Sequence, residues 1–215
     1  MTTSRPHNTW ISCAKGLAIL LMVVGHSGAP VSLVSYIYNF HMPLFFFVSG
    51  YLFNTRHLQN GKQYLSKKFK TLYIPFVKWS LIFLLFHNLL ASINVYDSAY
   101  ILSDFKSKVI GVVTMTDSEQ LLGGFWFLKQ LLYTSIIAWI ILFLIYRHPE
   151  RIRITLPITI LVTLGFAVFY SYSSVKIPTI STVTLLATAF FLTGHLFCTY
   201  DIFSRLSNIY RGAFW

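Results

Sequence analysis

Lys15 and His26 are the first residues whose type and spacing suggest chemistry. They bracket the apolar run Gly16–Gly25, which holds no other ionisable side chain. An ionisable group at bilayer depth loses its hydration, at roughly 2.5 kcal/mol or more for a central charge, so such residues are functional candidates. Their separation of eleven residues, at about 100° each, overshoots three helical turns by only about 20°. On a helix both side chains therefore share one stripe, about 16 Å apart along the axis. An imidazole exchanges protons near neutral pH and an ammonium attracts anions, so the stripe reads as one wall of a polar tunnel. A second histidine, His41, stands in the next apolar run two residues before Pro43. Proline in a span is expected to kink or unwind it and to free a carbonyl near His41.

The elements that must position these residues are apolar helices. The chain has 215 residues, 55% hydrophobic and only 11% charged, with mean hydropathy +0.64. Soluble domains carry about 25% charged residues. The net charge of +11 sits between apolar runs rather than on one face. That argues against nucleic-acid binding and for loops that obey the positive-inside rule. Cys13 and Cys198 have neither a metal-ligand nor a disulfide spacing, and no metal is expected. Arg5 followed by an apolar stretch resembles a leader, but Lys15 interrupts the run, so the segment reads as a retained first span.

Six segments approach the ~20 residues that a spanning helix needs: 9–27, 33–53, 72–93, 125–146, 154–172 and 179–200. The fold class is therefore all-α, a polytopic membrane bundle. The first two spans form a tight hairpin through Gly28-Ala29-Pro30. Arg56, Lys62, Lys67, Lys68 and Lys70 follow the second span, and Arg147, Arg151 and Arg153 follow the fourth. Asp97, Asp104, Asp117 and Glu119 follow the third, and only Lys176 precedes the sixth. Both termini are thus expected on the cytoplasmic side. Residues 94–124 are too few for an independent domain, and no inverted repeat is visible.

With the spans in place, a resemblance emerges. Lys15, then His26, then Phe40-His41-Met42-Pro43-Leu44-Phe45-Phe46 running into Ser49-Gly50-Tyr51-Leu52-Phe53, is similar to the acyltransferase-3 family of integral-membrane O-acyltransferases, in its fucose 4-O-acetylase-like branch. The basic Lys67-Lys68-Phe69-Lys70 before Leu72-Tyr73-Ile74-Pro75-Phe76, and Phe125-Trp126-Phe127-Leu128, fit in the same order. The resemblance implies transfer of an acyl group, usually acetyl, from acetyl-CoA to a hydroxyl of a cell-envelope saccharide, by a multi-pass protein of the bacterial inner membrane. His26 is then the expected general base, and His41 a second base or an orienting group. Lys15, with Lys67, Lys68 and Lys70, is expected to hold the donor's phosphates. Asn39 and Ser49 are candidates for the oxyanion, and Trp126 for the substrate pocket. Family members carry more spans than this, so the single domain 1–215 is expected to be incomplete at its C-terminus and to pair with a membrane partner or itself.

Competing readings use the same residues. Lys15, His26 and His41 lining a transport path fit the physics of buried ionisable groups equally well. A non-catalytic membrane subunit fits the short length. Lys67, Lys68 and Lys70 also serve as plain topology determinants, Lys15 as a snorkelling cation, and Trp126 as a membrane-interface aromatic.

Overall fold

Apolar runs punctuated by glycine, proline and lysine fold as helices close to the expected limits. The computed structural model describes residues 9–174, 177 and 180–205; Arg5, Lys176 and Thr179 lie outside them. In chain order the helices are α1 (Thr9–Gly25), α2 (Val31–Tyr51), α3 (Arg56–Gln59), α4 (Gly61–Lys68), α5 (Ile74–Ser92), α6 (Leu102–Val113), α7 (Trp126–Ile145), α8 (Ile152–Tyr172) and α9 (Thr182–Thr199). Among the described residues the only β pairing is an isolated bridge between Ile177 and Ile180. Among the described residues, five helical stretches are long and apolar enough to cross a bilayer: Val31–Tyr51, Gly61–Ser92, Gln120–Ile145, Pro149–Tyr172 and Thr182–Thr199. The sixth expected span, α1, is apolar but only 17 residues long, at the lower limit for a span.

Four local features differ from the sequence expectation. α1 stops at Gly25, so His26 sits in the turn that follows rather than inside the helix. α2 runs unbroken through Pro43; the proline removes one helical donor, that for the Asn39 carbonyl, without unwinding the backbone. The lysine-rich connection after α2 is helical, as its Lys, Gln and Leu content permits. It joins α5 through a π-helical turn, Phe69–Tyr73, in which the Ile74 amide bonds back to the Phe69 carbonyl. Pro75 accounts for that widening, because it lacks an amide hydrogen and its ring crowds the carbonyl four residues back. Finally, the acidic loop contains α6, whose apolar side carries Val112 into a core with Leu72, Phe76, Met115 and Leu132.

The chain divides into two compact units. The first comprises Met1–Asn54, Leu144–Gly165 and Leu186–Trp215. It holds the α1–α2 hairpin, whose turn uses Gly28 at φ 79°, a left-handed conformation that glycine adopts without strain. In the same unit α2 and α9 pack backbone to backbone: a Cβ at Gly50 would run into the Phe191 carbonyl, and one at Gly194 into the Phe47 carbonyl. Beside this crossing, buried His195 is hydrogen-bonded through Nε2 to the Tyr146 hydroxyl at 2.9 Å. Phe53 meets the same imidazole edge-on at 5.5 Å between ring centroids.

The second unit comprises Thr55–Phe143 and Phe166–Leu185. Its core is the cluster around Phe76, and a smaller one joins Ala167, Tyr170 and Leu185. The Trp139 indole on α7 donates to the His57 carbonyl at 2.9 Å and lies over Gly61, fixing the start of α4. Buried Thr184 donates to Gln130 Oε1 at 2.6 Å, satisfying two polar groups inside an apolar setting.

Candidate active site

The site is built where α1 ends and α2 begins. The His26 amide reaches back to the Met22 and Val23 carbonyls, and its ring Nδ1 lies 2.8 Å from the Met22 oxygen. A carbonyl only accepts, so Nδ1 carries the hydrogen and the lone pair is on Nε2. The Tyr38 hydroxyl lies 2.9 Å from that Nε2 and 3.4 Å from Nδ1, so it sits against the imidazole face and leaves the in-plane lone pair of Nε2 open. Tyr38 reaches across the hairpin to Gly25, where an added Cβ would lie in van der Waals contact with the ring, 3.4 Å from Cε2.

His41, three residues further along α2, uses the same device. Its Nδ1 is 2.7 Å from the Ile37 carbonyl, so its lone pair is also on Nε2. The ring is 1% exposed, and among the described residues Nε2 has no hydrogen-bond partner. The Tyr38 ring lies tilted against His26 at 5.6 Å and edge-on to His41 at 5.1 Å between centroids. Two histidines expected on separate spans are thus joined through one tyrosine, for which the sequence reading held no role. The available signal was its place three residues before His41, one helical turn away.

The remaining candidates are spread more widely. Ile11 and Ala18 mark the packed face of α1; Lys15 and His26 lie about 60–80° round from Ala18. Both are exposed, so the stripe forms a flank rather than an enclosed wall. Asn39 is exposed on α2. The Ser49 hydroxyl donates to the Phe45 carbonyl one turn back at 2.8 Å, so its proton is already engaged.

Lys67, Lys68, Lys70 and Trp126 belong to the second unit. Lys67 and Lys70 are exposed, and the half-buried Lys68 ammonium lies 5.5 Å over the Tyr64 ring. Burial, then Lys67 and Lys68, push the nearby His57 imidazole below its ordinary value, the electrostatic mark of a locally positive surface. Trp126 opens α7, partly exposed, with Phe127 edge-on at 6.5 Å.

A second polar constellation in that unit is structural. Buried His87 stacks flat on Tyr100 at 3.6 Å and donates from Nε2 to the Ser98 carbonyl at 3.0 Å. Its Nδ1 faces Glu119 Oε1 at 3.6 Å, and that oxygen accepts the Tyr96 hydroxyl. Glu119, read from sequence as a loop acid, is buried and ties the segment before α7 to the end of α5. The Tyr96 phenol is held well above its ordinary range, first by burial and then by this carboxylate.

All-helical architecture and long apolar helices define a multi-pass membrane protein. A family profile described as "Acyltransferase domain" matches residues 8–214. The chain belongs to this acyltransferase-3 family and is a membrane acyltransferase. Comparison with curated proteins and with solved structures returned no match.

Proposed function

We propose that the chain transfers an acetyl group from acetyl-CoA to a hydroxyl of a cell-envelope saccharide, with His26 as the general base. One observation carries this reading: the Met22 carbonyl fixes the His26 tautomer so that Nε2 presents a lone pair on an exposed ring. A sugar hydroxyl is a poor nucleophile until a base removes its proton in the transition state. His26 Nε2 takes that proton as the hydroxyl oxygen bonds to the acyl carbon. The resulting oxyanion needs a donor; the exposed Asn39 amide suits this better than Ser49, whose proton is engaged. Collapse breaks the carbon–sulfur bond, and the imidazolium returns the proton to the departing thiolate. The products are the ester and the free thiol, and His26 is neutral again.

The exposed ammonium groups of Lys15, Lys67 and Lys70 have the charge and access to attract donor phosphates. His41, buried with an unpartnered Nε2, fits an orienting role better than a second base reaching solvent. The reading also places the N-terminus in the cytoplasm, where acetyl-CoA is made. The test is transfer of labelled acetyl from acetyl-CoA to envelope saccharide by membranes carrying the chain, compared with membranes lacking it. Equal incorporation in both overturns the donor and acceptor assignment.

A further inference from the structure

A hydroxyl stands over the proposed base with its hydrogen in no strong bond. Among the described residues the Tyr38 phenol meets only the His26 ring, 2.9 Å from Nε2 and 3.4 Å from Nδ1, on its face. An O–H against a π face is weakly held, whereas a hydrogen bond to an anionic oxygen is about twice as strong as a neutral one. The ring is held apart from its hydroxyl, beside Gly25 across the hairpin and edge-on to buried His41 at 5.1 Å between centroids. The Nε2 lone pair lies in the imidazole plane and the phenol oxygen to one side of it. An acceptor oxygen about 2.8 Å out along that lone pair therefore stands about 4 Å from the Tyr38 oxygen. Two bonds of a tetrahedral carbon and one hydrogen bond fill that gap.

We propose that the Tyr38 hydroxyl is a catalytic hydrogen-bond donor to the oxyanion of the acyl-transfer step. This rests on the reading of His26 as base. As Nε2 takes the acceptor's proton, the acceptor oxygen bonds to the acyl carbon and the carbonyl electron pair moves onto its oxygen. Tyr38 swings its hydrogen from the imidazole face to that oxygen and keeps the proton throughout. When the pair returns, the carbon–sulfur bond breaks and the imidazolium protonates the thiolate. Asn39, one residue on and about 100° round α2, is a separate donor and not a substitute for it.

The test is Tyr38→Phe in the full chain, which keeps the ring and removes only the hydroxyl, assayed for acetyl transfer in membranes at matched expression. Loss of one oxyanion donor is expected to lower kcat by about 10²–10³-fold, with KM for the acceptor and for acetyl-CoA unchanged. A fall of less than about tenfold overturns the proposal, as does a rise in KM at constant kcat, the mark of a residue that only shapes the binding surface. The pH profile separates a donor from a residue that tunes the base. Transfer is expected to fall at every pH with the acid limb in place; a displaced limb with the plateau restored overturns the proposal. Should Tyr38→Phe fail to fold, Tyr38 replaced by 3-fluorotyrosine, a stronger donor of nearly the same shape, decides below neutral pH, where the phenol keeps its proton. There kcat is expected to rise, and a kcat equal to or below wild type overturns the proposal. If wild-type membranes transfer no acetyl, the acyl-transfer reading itself fails and takes this proposal with it. Transfer by wild type and an equal rate in Tyr38→Phe removes only the role of Tyr38.

Discussion

Ring tautomers decide what the two imidazoles of the proposed site can do. In both His26 and His41 the Nδ1 hydrogen goes to the carbonyl one turn back, leaving a basic Nε2. Elsewhere, residue-scale electrostatics is milder. Lys108 donates to Asp117 at 2.7 Å, with both side chains a third or more exposed. Burial alone would raise the Asp117 carboxyl, but the Lys108 hydrogen bond and the Ser118 amide hold it below its ordinary 3.8. A depressed carboxyl stabilises the fold above its unfolded value. That contribution is lost as pH falls below about 3.8 and through the folded value. Lys108, raised chiefly by the same hydrogen bond, gives up its share only above the ordinary lysine range. Asp117→Asn is therefore expected to cost less than about 1 kcal/mol at neutral pH and to flatten the acid limb of melting temperature against pH. His26 and His41 stand out in the sequence as imidazoles in apolar runs; His41 is buried as that expects, whereas His26 is exposed in the turn after α1. Tyr38 does not stand out, since a tyrosine near a span end is ordinary, and no sequence rule gives a tautomer.

At the scale of elements, α2 and α9 cross backbone to backbone at Gly50 and Gly194. Because a Cβ at Gly50 meets a backbone oxygen rather than a flexible side chain, the helices must separate to admit it. Gly50→Ala is expected to destabilise the fold by about 1–3 kcal/mol, read as a lower melting temperature in detergent. Gly16→Ala, where nothing lies within 4 Å of the added carbon, is expected to be neutral or stabilising by up to about 1 kcal/mol. A melting temperature unchanged in Gly50→Ala contradicts the close crossing. Span positions were legible because apolar runs of helical length have few alternatives. Helical Arg56–Lys68 and α6 were not, because charged residues mark loops and exposed helix faces alike. The π turn at Phe69–Tyr73 becomes predictable once Pro75 is set against a helix continuing from α4. Pro43 shows the opposite outcome, a proline absorbed without a break.

For the molecule as a whole, charge asymmetry between connections is the basis on which an orientation is expected. With Lys62 inside and the acidic 94–119 segment outside, a thiol probe that cannot cross membranes is expected to label Ser103→Cys in intact cells. Lys62→Cys is expected to react only after permeabilisation. The reverse pattern inverts the topology and removes the cytoplasmic route to Lys15. Charge asymmetry sums over many residues, so an expected orientation follows from the sequence; the grouping of helices into two units depends on contacts distant in sequence and does not. Everything converges on one imidazole, and the most direct measurement is acetyl transfer by membranes carrying His26→Ala, at expression matched to wild type. The account predicts a loss of about 10²–10⁴-fold, the usual worth of a general base. Transfer at the wild-type rate would contradict it.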